Sequence, residues 1–226
     1  PLLERYFADL PAGPEPTSVE VVEPAQTAGR TVEVTFPAMP LTMMAWHVPA
    51  MSAPDYPALE VGLYILGMAQ TSRLETGLVR GSGVAAQAGA AAGLPGDRHP
   101  HLALVFGIPG PGVGLDELDA AVDAEVARFL EEGPTAEELR GARTVARAGL
   151  LRSLADDAEL AAQLCEWQSK AGDWRELFRR TEAYQAVTAD EVRSTLARYL
   201  VPETRTIAHL VPPPPPAPEG ATSEED

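Results

Sequence analysis

Val32, Val34 and Phe36 alternate with polar residues, a period of two that predicts a half-buried strand. In the next segment, Leu41, Met43 and Ala45 share one side and Met44, Trp46 and Val48 the other. Both sides are apolar, so Leu41 to Val48 reads as a central strand covered on both faces. Asp55 as an N-cap and Pro57 in the first turn then open a helix, in which Tyr56, Leu59, Leu63 and Leu66 recur at helical spacing towards about Arg80. Val84 to Ala92 and Leu102 to Ile108 read as two more strands, joined through Gly93-Leu94-Pro95-Gly96-Asp97.

Helical periodicity takes over after that. Leu115, Leu118, Val122, Val126 and Phe129 form one stripe, stopped at Gly133-Pro134. Thr135 and Glu138 have the spacing of a capping box for the next helix, whose stripe of Leu139, Ala142, Ala146, Leu150, Leu154, Ala161 and Leu164 breaks near Asp156-Asp157. Trp174, Leu177, Phe178 and Tyr184 mark another helix. Thr188 and Glu191 cap a last one carrying Val192, Leu196 and Tyr199, before Thr204 to Val211 returns as a strand. Strands first, then helices, then one returning strand predict an α+β domain with a mainly antiparallel sheet packed against several helices.

The ends read differently. Residues 1–16 look like the end of a preceding domain and a Pro/Gly-rich linker, 17–212 like one domain, and 213–226 like a disordered Pro-rich acidic tail. Pro1 in place of Met suggests that sequence upstream has been removed, so compartment stays open.

Charge narrows the partners. Seventeen Lys and Arg against 33 Asp and Glu give a net charge of −16, which repels a nucleic-acid backbone. Arg140, Arg143, Arg147 and Arg152 stand among Ala and Leu as the wet face of a helix rather than as a basic patch. No apolar run is long enough to span a bilayer. Cys165 has no second cysteine to pair with, and between Leu164 and Trp167 it reads as a small buried hydrophobe.

The residue types that carry catalysis are poorly arranged for it. A catalytic zinc in a peptidase needs two histidines one helical turn apart plus a carboxylate. His47, His99, His101 and His209 make no such set; His99-Pro100-His101 lacks a third ligand at usable spacing, and His47 reads as a hydrogen-bonded histidine at the edge of the core or the rim of a cleft. Gly81-Ser82-Gly83 is not a nucleophile elbow, and the glycine run from Gly107 to Gly114 lacks the Lys-Ser/Thr of a phosphate loop. Asp156-Asp157 and Glu131-Glu132 read as solvated charge at helix ends.

A series of short segments, in order along the chain, resembles the second, non-zinc-binding domain of pitrilysin/insulinase-type (inverzincin) zinc metallopeptidases. These are Glu4-Arg5-Tyr6-Phe7 to Leu10-Pro11; His47-Val48-Pro49 with Pro54-Asp55-Tyr56-Pro57-Ala58-Leu59; Ile65-Leu66-Gly67 with Thr71-Ser72-Arg73-Leu74 and Leu78-Val79; Gly133-Pro134-Thr135-Ala136-Glu137-Glu138-Leu139; Gly172-Asp173; and Val187-Thr188-Ala189-Asp190-Glu191-Val192 with Arg198-Tyr199-Leu200. The resemblance implies a half-clamshell domain that faces a zinc-bearing N-terminal half, in the same or a separate chain, around a peptide substrate. Zinc is then expected in the partner half, with no cofactor and no catalytic residue in this chain. Some second halves of the family supply an Arg and a Tyr to the active site; His101 to Leu115, the corresponding stretch, contains neither.

The expected function is therefore that of a non-catalytic half of a zinc metalloendopeptidase, inactive alone, with neither nucleic acid nor membrane as partner. Trp46, His47, Ser72 and Arg73 are the candidate contacts to the peptide chamber, although Ser72-Arg73-Leu74 reads equally well as a helix-kink or packing motif. The alternatives are a catalytically silent structural or assembly protein of the same fold, and an independent metalloenzyme using His99 and His101.

Overall fold

In a computed structural model, residues 2–11, 13–14 and 23–214 are described. Residues 12 and 15–22, which include the end of the expected linker, and residues 215–226 of the expected acidic tail lie outside them. A helix α1 (Leu2–Phe7) precedes strands β1 (Arg30–Thr35) and β2 (Leu41–Val48), helix α2 (Tyr56–Leu63), and strands β3 (Ala85–Leu94) and β4 (His101–Pro109). Helices α3 (Leu115–Glu132), α4 (Ala136–Ser153), α5 (Asp157–Ala171), α6 (Glu176–Ala186) and α7 (Ala189–Tyr199) follow, and strand β5 (Thr206–Val211) closes the order. The sheet runs β1-β5-β2-β4-β3, with β1 parallel to β5 and the other three pairs antiparallel.

The core is one-sided. Thr42, Met44, Trp46 and Val48 of β2 are buried, and in register with them Ala103 and Val105 of β4 turn the same way, under α2, α3 and α7. Leu118, Val122, Val126 and Phe129 of α3 and Val192 and Leu196 of α7 complete this layer. The intervening residues Leu41, Met43 and Ala45 are partly exposed and His47 is exposed, so β2 is covered on one face rather than two. Apolar residues on both sides of a strand distinguish neither case, because a second face can be reserved for a partner as well as for the same chain. β1, expected half-buried, is exposed at all six positions; as the edge strand it extends beyond the helical layer.

The long helix expected to about Arg80 is interrupted. After α2 the chain passes through a π-helical turn (Tyr64–Met68), leaves helical geometry at Ala69, and resumes as a second π segment (Glu75–Gly81). Gly67 shows why: a Cβ there would stand 2.2 Å from the Ala90 backbone nitrogen and 2.6 Å from the Ala90 Cβ. Backbone lies directly on backbone, which explains the run of small residues in β3 and removes the room for regular helix geometry.

Local signals hold where the partners are close in sequence. Thr135 and Glu138 form the capping box of α4, and Thr188 and Glu191 that of α7. Asp156 caps α5, its Oδ1 accepting from the Ala158 and Glu159 amides at 2.9 Å each, so it is more than solvated charge. Asp55 precedes α2 but does not cap it; its carboxylate takes the Arg198 guanidinium and the Tyr199 hydroxyl, both at 2.8 Å, and ties α2 to α7. Cys165 is exposed, not buried, because α5 rests against α4 and α6 with none of its residues fully covered.

Candidate functional site

Among the described residues the helices cover one face of the sheet, and the other face is built from the remaining positions, of which Leu104 is only 7% exposed. Strand register lines them up in rows: Val34, Leu210 and Leu41; Val32, Ala208, Met43, Phe106 and Gly89; Thr206, Ala45, Leu104 and Ala91; His47 and Leu102. Gly89 allows the Phe106 ring to lie across β3, since a Cβ at Gly89 would come within 2.7 Å of Phe106 Cζ. Apolar side chains thus continue from one edge of the sheet to the other, with Val32 and Val34 about half exposed at the β1 end. The outer edge of β1 pairs with no described strand. A face of this composition beside a free edge can receive an extended chain, by main-chain hydrogen bonds along β1 and apolar contacts across the sheet.

At the end of the sheet, His47 overlooks a groove of about 520 Å³ that it lines with Glu23, Gln26, His99, Arg198 and Tyr199. His47 Nδ1 is 3.4 Å from Glu23 Oε2, but both side chains are well exposed, so solvent screens the pair.

The four sequence-predicted contact residues do not come together. His47 is on the open face, whereas Trp46 turns into the core with its indole N–H donating to the Val201 carbonyl at 3.1 Å. Ser72 is buried, and its hydroxyl accepts the Glu75 amide at 3.4 Å. Arg73 forms a clamp of four hydrogen bonds. Its Nε and Nη2 meet Glu138 Oε1 and Oε2 at 2.8 and 3.0 Å, Nη1 reaches Glu132 Oε2 at 3.0 Å, and Nη2 also reaches the Gly133 carbonyl at 2.9 Å. Its guanidinium lies 4.6 Å from the Phe129 ring centre. Arg73 therefore fastens the second π segment to the α3–α4 turn, and the packing account of Ser72-Arg73-Leu74 is the one these contacts describe.

The structure gives polar groups partners that the sequence did not reveal. Asp119 of α3 accepts from Thr42 Oγ1 at 2.5 Å through Oδ1 and holds His209 Nε2 at 2.7 Å through Oδ2, pinning α3 to β2 and β5. These residues are 77 and 90 positions apart, beyond any motif spacing. His101 is buried against Tyr56, ring centres 5.5 Å apart, with Nδ1 3.0 Å from the His99 carbonyl oxygen. The donor set does not fit a zinc centre: among the described residues no three His, Cys, Asp or Glu side chains converge as metal ligands.

The family described as the Peptidase M16 inactive domain matches residues 1–145. The chain belongs to that family. As an M16 inactive domain it is similar in structure to a protease from Helicobacter pylori, at 20% identity and a TM-score of 0.84, covering 93% of this chain and 51% of that one. The inactive peptidase domain of a putative zinc protease from Bordetella parapertussis is 25% identical with a TM-score of 0.70, covering 81% and 97% of the two chains. The periplasmic protease PqqL from Escherichia coli, at 16% identity and a TM-score of 0.72, is covered over 24% of its length and covers 94% of this chain. The chain thus spans about half of the Helicobacter pylori protease and nearly all of the Bordetella domain. No curated protein matches it. The α+β fold expected from the sequence is that of these domains, and no helix among the described residues is long and apolar enough to cross a membrane.

Proposed function

We propose that this M16 inactive domain is the non-catalytic half of a zinc metalloendopeptidase, and that its uncovered sheet face forms one wall of the peptide chamber. The observation that carries the reading is the apolar face centred on Met43 and Phe106 beside the edge of β1 that pairs with no described strand. An extended peptide added along that edge is gripped through its backbone, which tolerates varied side chains. Zinc, its bound water and the scissile bond belong to the partner half. This half contributes positioning and the exclusion of bulk water, which raise the effective concentration of the bond to be cut. His47, exposed at the rim beside the groove, is then the candidate contact to such a peptide, and Trp46, Ser72 and Arg73 act through packing.

The test joins the chain to its zinc-bearing half, covalent or separate, and follows hydrolysis of a quenched fluorescent peptide. Cleavage is expected with both halves and is lost when this one is withheld. A zinc-bearing half that cleaves equally well alone refutes the proposal and leaves the silent assembly protein as the reading.

A further inference from the structure

Away from the sheet face, α2, α5 and α6 enclose a polar cavity of about 210 Å³ whose walls include Glu60, Asp97, Trp167, Lys170, Arg180 and Tyr184. Arg180 is 8% exposed. Its guanidinium lies between the Tyr56 and Trp167 rings, 5.1 and 5.5 Å from their centres, and Nη2 donates to the Met51 carbonyl. Nη1 is buried and finds no acceptor among the described residues. A charged donor left in that condition is costly, so it calls for an acceptor from outside the chain.

The other charges sort themselves. Lys170 Nζ is taken by Asp97 Oδ1 at 2.9 Å and by Glu166 Oε1 at 2.5 Å. Glu60 makes no ion pair among the described residues and accepts from the Tyr184 hydroxyl. Among the described residues the cavity therefore holds a cationic donor without a hydrogen-bond partner, Arg180 Nη1, and a carboxylate without an ion pair, Glu60, whereas Asp97 is engaged by Lys170 although its Oδ1 makes no hydrogen bond of its own. We propose that it binds a small zwitterion, a free α-amino acid or a short peptide, with Arg180 holding the carboxylate and Glu60 the ammonium group. A phosphate would face Glu60, Asp97 and Glu166, and a metal cation would face Arg180 and Lys170, so neither fits as well. Tyr56 and Trp167 offer ring faces to an apolar side chain.

Size and access agree. A water occupies about 30 Å³ of liquid, so the cavity holds several waters' worth of ligand. Gln163, Trp167, Arg180 and Tyr184 also line an adjoining groove of about 630 Å³ between α4, α5 and α6, which supplies an entrance beneath the thinly anchored α5. Glu60 lends support, because burial raises its carboxyl above the usual range even though the Tyr184 hydrogen bond opposes the shift. A buried acid kept against its own solvation is more usual in a binding site than in a packed core.

Isothermal titration of the 226-residue chain decides the matter, with L-leucine and glycyl-L-leucine as probes and leucinamide, 4-methylpentanoate and inorganic phosphate as controls. Saturable one-to-one binding is expected for one or both zwitterions, and the tighter of the two identifies free amino acid or peptide as the source. Loss of either charged end should weaken binding by about tenfold or more, about 1.4 kcal/mol. Arg180→Gln and Glu60→Gln should abolish it; if Arg180→Gln does not fold, the probe series on the unaltered chain still gives the answer. The proposal fails if neither zwitterion gives saturable heat at about 10 mM, well above a Kd of about 1 mM. It fails equally if a singly charged control or phosphate binds as tightly.

Discussion

Arg73 and Glu138 are joined by two parallel contacts, Nε to Oε1 at 2.8 Å and Nη2 to Oε2 at 3.0 Å, and the same carboxylate receives the Thr135 amide at 2.7 Å. One Glu side chain thus completes the capping box of α4 and anchors the π-helical segment across the α3–α4 turn. Arg73→Ala should destabilise the domain by about 1–3 kcal/mol in chemical denaturation, since the part-buried Glu138 carboxylate and the buried Gly133 carbonyl lose their charged donor. Arg73→Lys should recover less than half of that loss, because an ammonium cannot reproduce the two-point geometry.

The same pair sets a pH dependence. Burial pushes the Glu138 carboxyl up, but the bonds from Arg73 and Thr135 outweigh it and hold it below its usual value. A carboxyl lowered in the folded state contributes stability above its unfolded pKa of about 4.5 and loses it as the pH falls through the folded value. Urea midpoints of the unaltered chain should therefore drop on acidification below that point, and drop less in Glu138→Gln.

Glu60 carries the opposite sign. Burial raises its carboxyl in the folded state, so its contribution is complete below the unfolded pKa and is lost as the pH rises through the folded one. Glu60→Gln keeps an acceptor for Tyr184, whose own hydroxyl burial holds protonated. The variant should melt higher than the unaltered chain near neutrality and match it in acid. A variant that melts lower across the whole range would show that the ionised carboxylate stabilises the fold.

What the sequence revealed follows the distance over which each feature is determined. The capping residues Thr135, Glu138, Thr188 and Glu191 lie three positions from their partners, and they form as their spacing predicts. Arg73 meets Glu132, Gly133 and Glu138 some 60 positions away, so its role as a clamp has no local sign. β2 was legible as a strand, but its covering was not, because Leu41, Met43 and Ala45 look alike whether the helices or a partner cover them. The interruption after Leu63 depends on how closely Gly67 approaches β3, a contact between segments more than 20 residues apart.

That contact is itself testable. Gly67→Ala places a methyl group against the Ala90 backbone, which cannot yield as a flexible side-chain tip does. The expected cost is about 1–3 kcal/mol, the range for overpacking a well-filled interior. Ala at the exposed Gly141 of α4, where an added Cβ meets nothing within 4 Å, should be neutral or stabilising as a helix-propensity gain. Equal costs at the two sites would mean that the close approach is not what interrupts the helix.

Met43 and Met44 are neighbours on β2 with opposite tasks. Met44 is fully buried beneath the helices, whereas Met43 sits on the open face between Ala208 and Phe106. Met44→Glu should unfold the domain, because an unpaired carboxylate in that layer costs more than a domain's usual margin can absorb. Met43→Glu should cost about 1 kcal/mol, within the spread of strand propensities. If the open face is a chamber wall, Met43→Glu should nevertheless lower partner-dependent peptide hydrolysis by about tenfold, or about 1.4 kcal/mol of binding. Circular dichroism establishes that the fold is kept, and the peptidase rate then separates a wall from a bystander: an unchanged rate in a folded Met43→Glu domain removes this face from the chamber.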